Sequence, residues 1–172
     1  MQPTLEWQWT RFDDLAPRDL YALLRARAEV FVVEQNCPFV DSDGLDPHAW
    51  HLLGWIRGAG ALSRSAGDSR AETTLAAYLR LIDPGHAFDE PSIGRVLTVA
   101  AFRRIGLGRP LMKEGLRKAA LLYPGRAVRI GAQSRLERFY QSMGFDTVSP
   151  PYIEDGIEHV QMLIAAPTDD RR

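Results

Sequence analysis

The chain has 172 residues, of which 45% are hydrophobic, enough for one compact core and too few for two full domains. Its 21 Lys and Arg nearly cancel its 22 Asp and Glu, so charge alone would not hold a nucleic acid or an anionic membrane. Cys37 is the only cysteine, which excludes an internal disulfide and a cluster of thiolate metal ligands. We expect a single domain over residues 1–167 and a loose tail over 168–172.

No apolar run approaches the length needed to span a membrane. The first ten residues carry acidic and aromatic side chains, whereas a signal peptide needs a basic start and an apolar stretch. We therefore expect a cytoplasmic protein with no membrane partner and no nucleic-acid partner.

The first half of the chain predicts one helix and two strands. Apolar residues recur at helical spacing over 17–31, with a proline in the first turn, where it is tolerated. The acidic segment 37–47 contains several turn-forming residues and indicates an ordered loop. Short apolar or alternating runs predict strands over 51–56 and 75–82. The Gly-, Ala- and Ser-rich stretch 57–72 indicates a flexible connection between these strands.

The second half predicts strands and helices in alternation. A β-rich run over 93–99 is followed by a glycine turn and a helical stripe from Leu107 to Ala119. A further strand over 127–132 and a short helix over 135–143, stopped by a glycine, complete a βαβα unit. Such a unit favours parallel pairing of its strands. The segment 152–164 contains an Asp-Gly pair, which is typical of a hairpin turn.

The segment 97–109 joins a strand to a helix through two glycines and three arginines. Backbone N–H groups at a helix start lack intrahelical partners and carry the positive end of the helix dipole, and glycines let a pyrophosphate approach them closely. The pattern thus favours an anion site, with a turn that only eases packing as the alternative. It is not a P-loop, and it lacks the third glycine of the dinucleotide-binding fingerprint.

Two motifs in this half resemble those of the GNAT superfamily of N-acetyltransferases. Arg103, Gly106 and Gly108 match its R/Q-x-x-G-x-G/A signature directly after a strand. That superfamily also has a tyrosine four residues before a Gly-Phe pair, and here Tyr140 precedes Gly144 and Phe145 in this way.

Four further segments resemble the ElaA-like branch of that superfamily, so that the resemblance covers nearly the whole chain. These segments are 30–35, 43–46, 93–96 and 154–159. The resemblance implies an α/β fold in which helices flank a twisted sheet of mixed strand direction. It also implies that the sheet opens between the parallel strands 93–99 and 127–132, with acetyl-CoA lodged in the gap.

The resemblance also implies residues that hold the cofactor. The backbone of Leu97, Thr98 and Val99 would pair with the pantetheine arm, and Gln133 occupies a place where many relatives carry a cofactor-contacting Asn. The signature arginine and the backbone amides after it would hold the pyrophosphate: Arg103, Arg104, Ile105, Gly106, Leu107, Gly108 and Arg109.

By the same resemblance, Tyr140 is the general acid that protonates the departing CoA thiolate. The alternative is a helix tyrosine that only packs its ring in the core. The implied activity is direct transfer of an acetyl group to a primary amine, for which the amine must lose a proton.

Some relatives take that proton with a glutamate on the strand before the tyrosine helix, but the segment 127–132 holds no carboxylate and no histidine. The base must therefore come from elsewhere or act through water, and histidine has the most suitable unperturbed pKa. Our first choices are Glu34 and His159, each weighed against a purely structural role. The titratable candidates as a group are Glu34, His51, Glu154, Asp155 and His159.

Metal binding is not expected. Asp41, Asp43 and Asp46 suggest a calcium loop, but the glycine is misplaced for an EF-hand and the closing glutamate is absent. A solvated turn or an acidic pocket for a cationic amine explains them more simply. His48 and His51 lack the further ligands that a closed zinc site needs.

Two rival functions are weighed against acetyl transfer. The first is a non-catalytic domain of the same fold that binds acyl-CoA for sensing or assembly. The second, a nucleotide-phosphate binder, lacks the P-loop lysine and the third glycine. Cys37 is not expected to act as a nucleophile, because direct transfer needs no acyl-enzyme. The sequence leaves the amine acceptor and a homodimer open.

Overall fold

The structure is a computed structural model that describes residues 4–57 and 73–166. Most of the expected flexible connection, residues 58–72, and the expected tail over 168–172 lie outside the described residues.

In the described residues, three α-helices flank the sheet. Helix α1 (Pro17–Arg27) begins with proline in its first turn, carries Asp19 there and has two arginines in its last turn, in keeping with the helix dipole. It runs on as a π-helical turn, Ala28–Glu34. Helix α2 spans Gly108–Leu122, and helix α3 spans Glu137–Gln141.

The eight strands found within residues 4–57 and 73–166 form one sheet of mixed direction. Its order is β1-β2-β3-β4-β5-β8-β6, and β7 pairs with β8 off this path. The strands are β1 (Thr4–Arg11), β2 (Ala49–Arg57), β3 (Thr73–Ile82), β4 (Ser92–Thr98), β5 (Val128–Gln133), β6 (Asp146–Thr147), β7 (Tyr152–Glu154) and β8 (Ile157–Ile164).

The sheet opens between its two parallel strands. Strands β4 and β5 pair at one position, Ser92 with Arg129, and from there to Thr98 and Gln133 no further pair joins them. Strand β4 pairs with β3 on its other side, and β5 pairs with β8. The parallel pairing and the opening between 93–99 and 127–132 are thereby confirmed.

Each face of the sheet carries its own apolar core. Helices α2 and α3 cover one face, where Leu79, Met112 and Ile130 are fully buried. Helix α1 covers the other face, where Leu23 and Tyr78 are fully buried. Ligands that enter between β4 and β5 would therefore meet groups from both faces.

Besides the two-residue strand β6, which was not predicted, the structure differs from the expected elements in three places. Strand β1 was not predicted, although Leu5, Trp7 and Trp9 alternate with polar residues and pack against the α2 side. The α-helical part of the segment 17–31 ends at Arg27, because the chain widens there into the π-helical turn. The helix expected over 135–143 is a 3-10 turn, Ser134–Leu136, followed by α3.

Candidate active site

The glycine turn lies exposed at the start of α2. Gly106 has a left-handed φ of 74°, which a residue with a Cβ adopts only at a cost, and a Cβ built there would meet nothing within 4 Å. Among the residues that the structure describes, no side chain caps the N-terminus of α2, so the N–H groups of its first turn can meet an anion. Pro110 sits in that turn, where a missing N–H costs no intrahelical bond. The geometry fits a diphosphate.

The arginine of the signature lies against β4. Arg103 Nε donates to the backbone carbonyl oxygen of Thr98 at 3.2 Å, and Nη2 donates to Glu34 at 2.5 Å. Glu34, the last residue of the π-helical turn, is thus brought beside the glycine turn. Its carboxylate is already engaged by a guanidinium.

Tyr140 is buried beside the same turn. Its ring is 6% exposed and packs edge-on against Phe139 and Phe145, with centroid distances of 5.1 and 5.9 Å. Burial raises the pKa of Tyr140 to about 12, so the phenol keeps its proton at neutral pH. No described residue hydrogen-bonds the hydroxyl, which leaves that proton available to a ligand.

A link between α2 and α3 that sequence reasoning missed holds the tyrosine helix in place. Arg109 Nη2 donates to Ser142 Oγ at 2.8 Å, and its guanidinium lies 5.7 Å from the ring centroid of Phe139. A Cβ on Gly108 would lie 3.7 Å from the same ring. The first turn of α2 therefore positions the helix that carries Tyr140. The glycine turn and the arginine that follows it were visible in the sequence, but the partner of Arg109 33 residues later was not.

A second group of polar side chains lies on the α1 side of the sheet. Gln133 Nε2 donates to Gln35 at 3.1 Å, and Arg135 Nε donates to Gln133 at 2.9 Å. His159 is the direct partner of Gln133 in the β5–β8 pairing, so both side chains leave the same face. The structure thus brings Gln133 and His159 together at the end of β5, opposite the face that packs Tyr140.

The proton on His159 can be placed by its neighbour. His159 Nδ1 lies 2.9 Å from the carbonyl oxygen of Ile157. A carbonyl only accepts hydrogen bonds, so the neutral ring carries its proton on Nδ1 and leaves a lone pair on Nε2. This geometry suits a proton acceptor.

The remaining candidates for a base are placed less favourably. His51 is fully buried, and its ring nitrogens contact the Tyr78 hydroxyl and the Asp46 carbonyl at 2.7 and 3.1 Å. Burial lowers the pKa of His51, so it is a neutral core residue. Glu154 and Asp155 are exposed at the β7–β8 turn. Cys37 donates from Sγ to the carbonyl oxygen of Asp155 at 3.4 Å, which ties the α1–β2 loop to that turn.

The acidic loop before β2 takes part in a closed ring of ion pairs, hereafter the charge ring. Its three arginines come from α1, β3 and β4, and each bridges two of the three aspartates. The contacts run in the order Arg27–Asp41, Asp41–Arg95, Arg95–Asp43, Asp43–Arg80, Arg80–Asp46 and Asp46–Arg27.

The charge ring is electroneutral and largely buried. Arg27 and Arg80 are 0% and 2% exposed. Burial raises the pKa of Asp43, but hydrogen bonding and the charge of Arg80 outweigh it and hold that pKa well below its ordinary value. The expectation of an acidic pocket for a cationic amine is therefore wrong for these three carboxylates, because each is neutralised by arginine. Across residues 4–57 and 73–166, no group of three or more His, Cys, Asp or Glu could hold a metal ion.

The geometry defines a class of protein. Acyl-CoA N-acyltransferases have this architecture, a mixed sheet that opens between two parallel strands with a glycine turn after the first of them. The acetyltransferase (GNAT) domain family matches residues 69–166. ElaA of Escherichia coli is 38% identical over 92% of this chain and 95% of its own. The chain belongs to the GNAT acetyltransferase family, in its ElaA-like branch.

Two solved structures are similar to this one over nearly their whole length. The crystal structure of E. coli ElaA gives a TM-score of 0.77 at 36% identity, covering 94% of this chain and 99% of that one. An acyl-CoA N-acyltransferase from Pseudomonas aeruginosa gives 0.79 at 38% identity, covering 94% and 100%. Family and fold together support an acyl-CoA-dependent N-acyltransferase. In the described part of the chain, no helix has the length and hydrophobicity that a bilayer crossing requires.

Proposed function

We propose that this protein transfers an acetyl group from acetyl-CoA directly to a primary amine. The observation that carries the proposal is Tyr140, a buried phenol whose hydroxyl is bonded to no described residue. It lies on a helix that Arg109 links to the start of α2, which no described side chain caps. A domain that only binds acyl-CoA needs the helix start but has no use for a proton donor in that position.

In this proposal the donor lies along β4. The backbone at Leu97, Thr98 and Val99 pairs with the pantetheine amides through the groups that do not bond to β3, which extends the sheet into the opening. The diphosphate meets the amides at Gly106 and Gly108, where the helix dipole favours negative charge. Arg103 then exchanges its present partners for a phosphate.

The acetyl group moves in one displacement. The neutral amine nitrogen attacks the thioester carbonyl carbon, and a C–N bond forms as the carbonyl becomes a tetrahedral oxyanion. Collapse of that intermediate breaks the C–S bond, and Tyr140 gives its proton to the leaving sulfur. The amine gives its surplus proton to a base on the α1 side. Solvent returns a proton to Tyr140, which restores the enzyme.

Ligand binding is the first test. A ligand at a hundred times its Kd stabilises the folded state by about 2.7 kcal/mol, so CoA and acetyl-CoA should each raise Tm by roughly 5 to 10 °C for a chain of this size. ATP and NAD should leave Tm unchanged. A shift with ATP or NAD and none with CoA would support a nucleotide binder and contradict the proposal.

Turnover separates an enzyme from a sensor. Free thiol release from acetyl-CoA, followed across polyamines, amino acids, aminoglycosides and peptides, should rise with at least one class of amine. Tight CoA binding with no thiol release from any amine would identify a sensor of the same fold.

The base is tested by the pH dependence of the reaction. We expect His159→Gln to remove the acidic limb of the profile of kcat/KM against pH, because a lone pair on Nε2 is then no longer available. Glu34→Gln is the comparison variant, since its carboxylate is engaged by Arg103. Loss of that limb in Glu34→Gln alone would assign the base to Glu34. A profile unchanged in both variants would remove both residues from the mechanism.

A further inference from the structure

Strand β4 contains a strained bulge in its pairing with β3. Between Tyr78 and Arg80 of β3, the facing stretch of β4 runs from Leu97 back to Gly94, so β4 uses one residue more than its partner. Arg95 lies at this bulge with a φ of 52°. A left-handed conformation is uncommon for an arginine and persists only where surrounding contacts impose it.

The charge ring supplies those contacts. Arg95 Nε donates to Asp41 Oδ1 at 2.7 Å, and Nη2 donates to the Asp41 carbonyl at 3.1 Å and to Asp43 at 3.3 Å. The guanidinium also lies 5.8 Å from the ring centroid of Phe31. Arg95 is therefore fixed from the side of α1 and the loop that follows it.

The position of the bulge decides what it can control. Residues 97–99 begin two residues after Arg95. Leu97 and Thr98 pair with β3 on one side, and on the side of the opening β4 has no partner beyond Ser92. A bulge turns the following residues and increases the local twist. The direction in which these backbone groups point is thus set at Arg95.

We propose that Arg95 is a positioning residue for the acyl-CoA donor. Its guanidinium, clamped by Asp41 and Asp43, holds the bulge and so aims the free edge of β4 at the pantetheine arm. This inference rests on the proposed function. It links the acidic loop that follows α1 to strand β4, along which the donor is proposed to lie.

The role differs from support of the fold. When Arg95 is removed, Asp41 keeps Arg27 and Asp43 keeps Arg80, so both buried arginines retain carboxylate partners. The Arg95 side chain is itself 28% exposed. Its loss should therefore change Tm little and should act mainly on the donor.

Arg95→Gly isolates this effect. Glycine adopts the left-handed conformation without strain, but it lacks the side-chain contacts that fix the bulge in one conformation. We expect the Kd for CoA, measured by calorimetry, to rise about tenfold, since small misplacements of binding groups have large effects. KM for acetyl-CoA should rise with it, while kcat at saturating donor stays near the wild-type value. Arg95→Lys should recover part of the affinity, because it keeps the charge but not the fork of donors.

The matched control is Arg129→Ala. Arg129 is 20% exposed and forms a comparable pair with Glu90, but it lies at the closed end of the opening, opposite Ser92. It should leave the Kd for CoA unchanged. If Arg95→Gly binds CoA as tightly as the wild type, the inference on Arg95 is wrong and the proposed function stands. If the wild type binds no CoA, both are wrong.

Discussion

Replacing Tyr140 with phenylalanine should lower kcat for acetyl transfer by about 100-fold or more, the usual contribution of a positioned proton donor. Without the phenol, the CoA sulfur leaves as an unprotonated thiolate. The Kd for CoA and Tm should change little, because the ring contacts with Phe139 and Phe145 remain and the lost hydroxyl has no hydrogen-bond partner among the described residues. Thiol release under saturating substrates measures kcat, and calorimetry measures the Kd.

Tyr123→Phe provides the comparison. Its hydroxyl donates to Asp83 Oδ1 at 2.5 Å, and Tyr123 follows the C-terminal end of α2. Because α2 has 15 residues, the backbone of Tyr123 lies roughly 20 Å from the glycine turn. This variant should lose some stability and keep its kcat. A wild-type kcat in Tyr140→Phe, with fold and CoA affinity intact, would remove Tyr140 from the mechanism.

Replacing Asp46 with asparagine should lower the free energy of unfolding by about 3 to 5 kcal/mol, the usual effect of removing one partner from a buried ion pair. Asp46 Oδ1 accepts from Arg27 at 2.6 Å and from Arg80 at 2.8 Å. Asparagine is close in size, so the main change is one uncompensated positive charge in the charge ring. Thermal unfolding should show Tm lower by roughly 6 to 20 °C.

Glu29→Gln is the exposed counterpart. Glu29 pairs with Arg25 on the surface of the first helix, with both side chains about half exposed or more, and such pairs contribute only about 0.3 to 0.5 kcal/mol. Its Tm should stay within about 2 °C of the wild type. An Asp46→Asn variant that melts as late as Glu29→Gln would show that the charge ring does not stabilise the fold.

The pH dependence of the Asp46 effect has a definite sign. Burial raises the pKa of Asp46, but hydrogen bonding and charge from Arg27 and Arg80 outweigh it, so that the pKa lies below its ordinary 3.8. A carboxyl with a lowered pKa stabilises the folded state fully above its unfolded value and loses that contribution as pH falls through the folded value. The stability difference between wild type and Asp46→Asn should thus be constant above about pH 5 and shrink in more acidic solution.

The sequence predicted the strand, the glycine turn and the helix of the candidate site because their signals are local. A strand, a glycine turn and a helix follow one another over 93–119, and the parallel pairing that this order favours is present. The sequence likewise placed Tyr140 in a short helix that ends before Gly144, and Gly144 has a left-handed φ of 96°. The roles assigned to these residues in binding and catalysis stay predictions.

The polar contacts on the α1 side of the sheet escaped sequence reasoning because they are not local. Gln35 meets Gln133 across 98 residues, and Arg95 meets Asp41 across 54. An aspartate in a turn-rich loop has the same local signature whether it faces water or a buried guanidinium, so the pairing of charges was not visible. The sequence of β1 did alternate apolar and polar residues, with Leu5, Trp7 and Trp9 on one face. Only the packing of these three side chains on the α2 side shows that the alternation marks a strand.

The gap between β4 and β5 bears on how the protein can adjust to what it binds. Full main-chain pairing would fix the two strands about 4.8 Å apart, whereas here they share one pair and otherwise contribute side chains, such as Ile93 and Ile130, to the same apolar core as α2. Apolar packing has no preferred direction and tolerates small sliding movements. The distance between β4 and β5 can therefore change slightly through small shifts of the apolar side chains in the core beneath them.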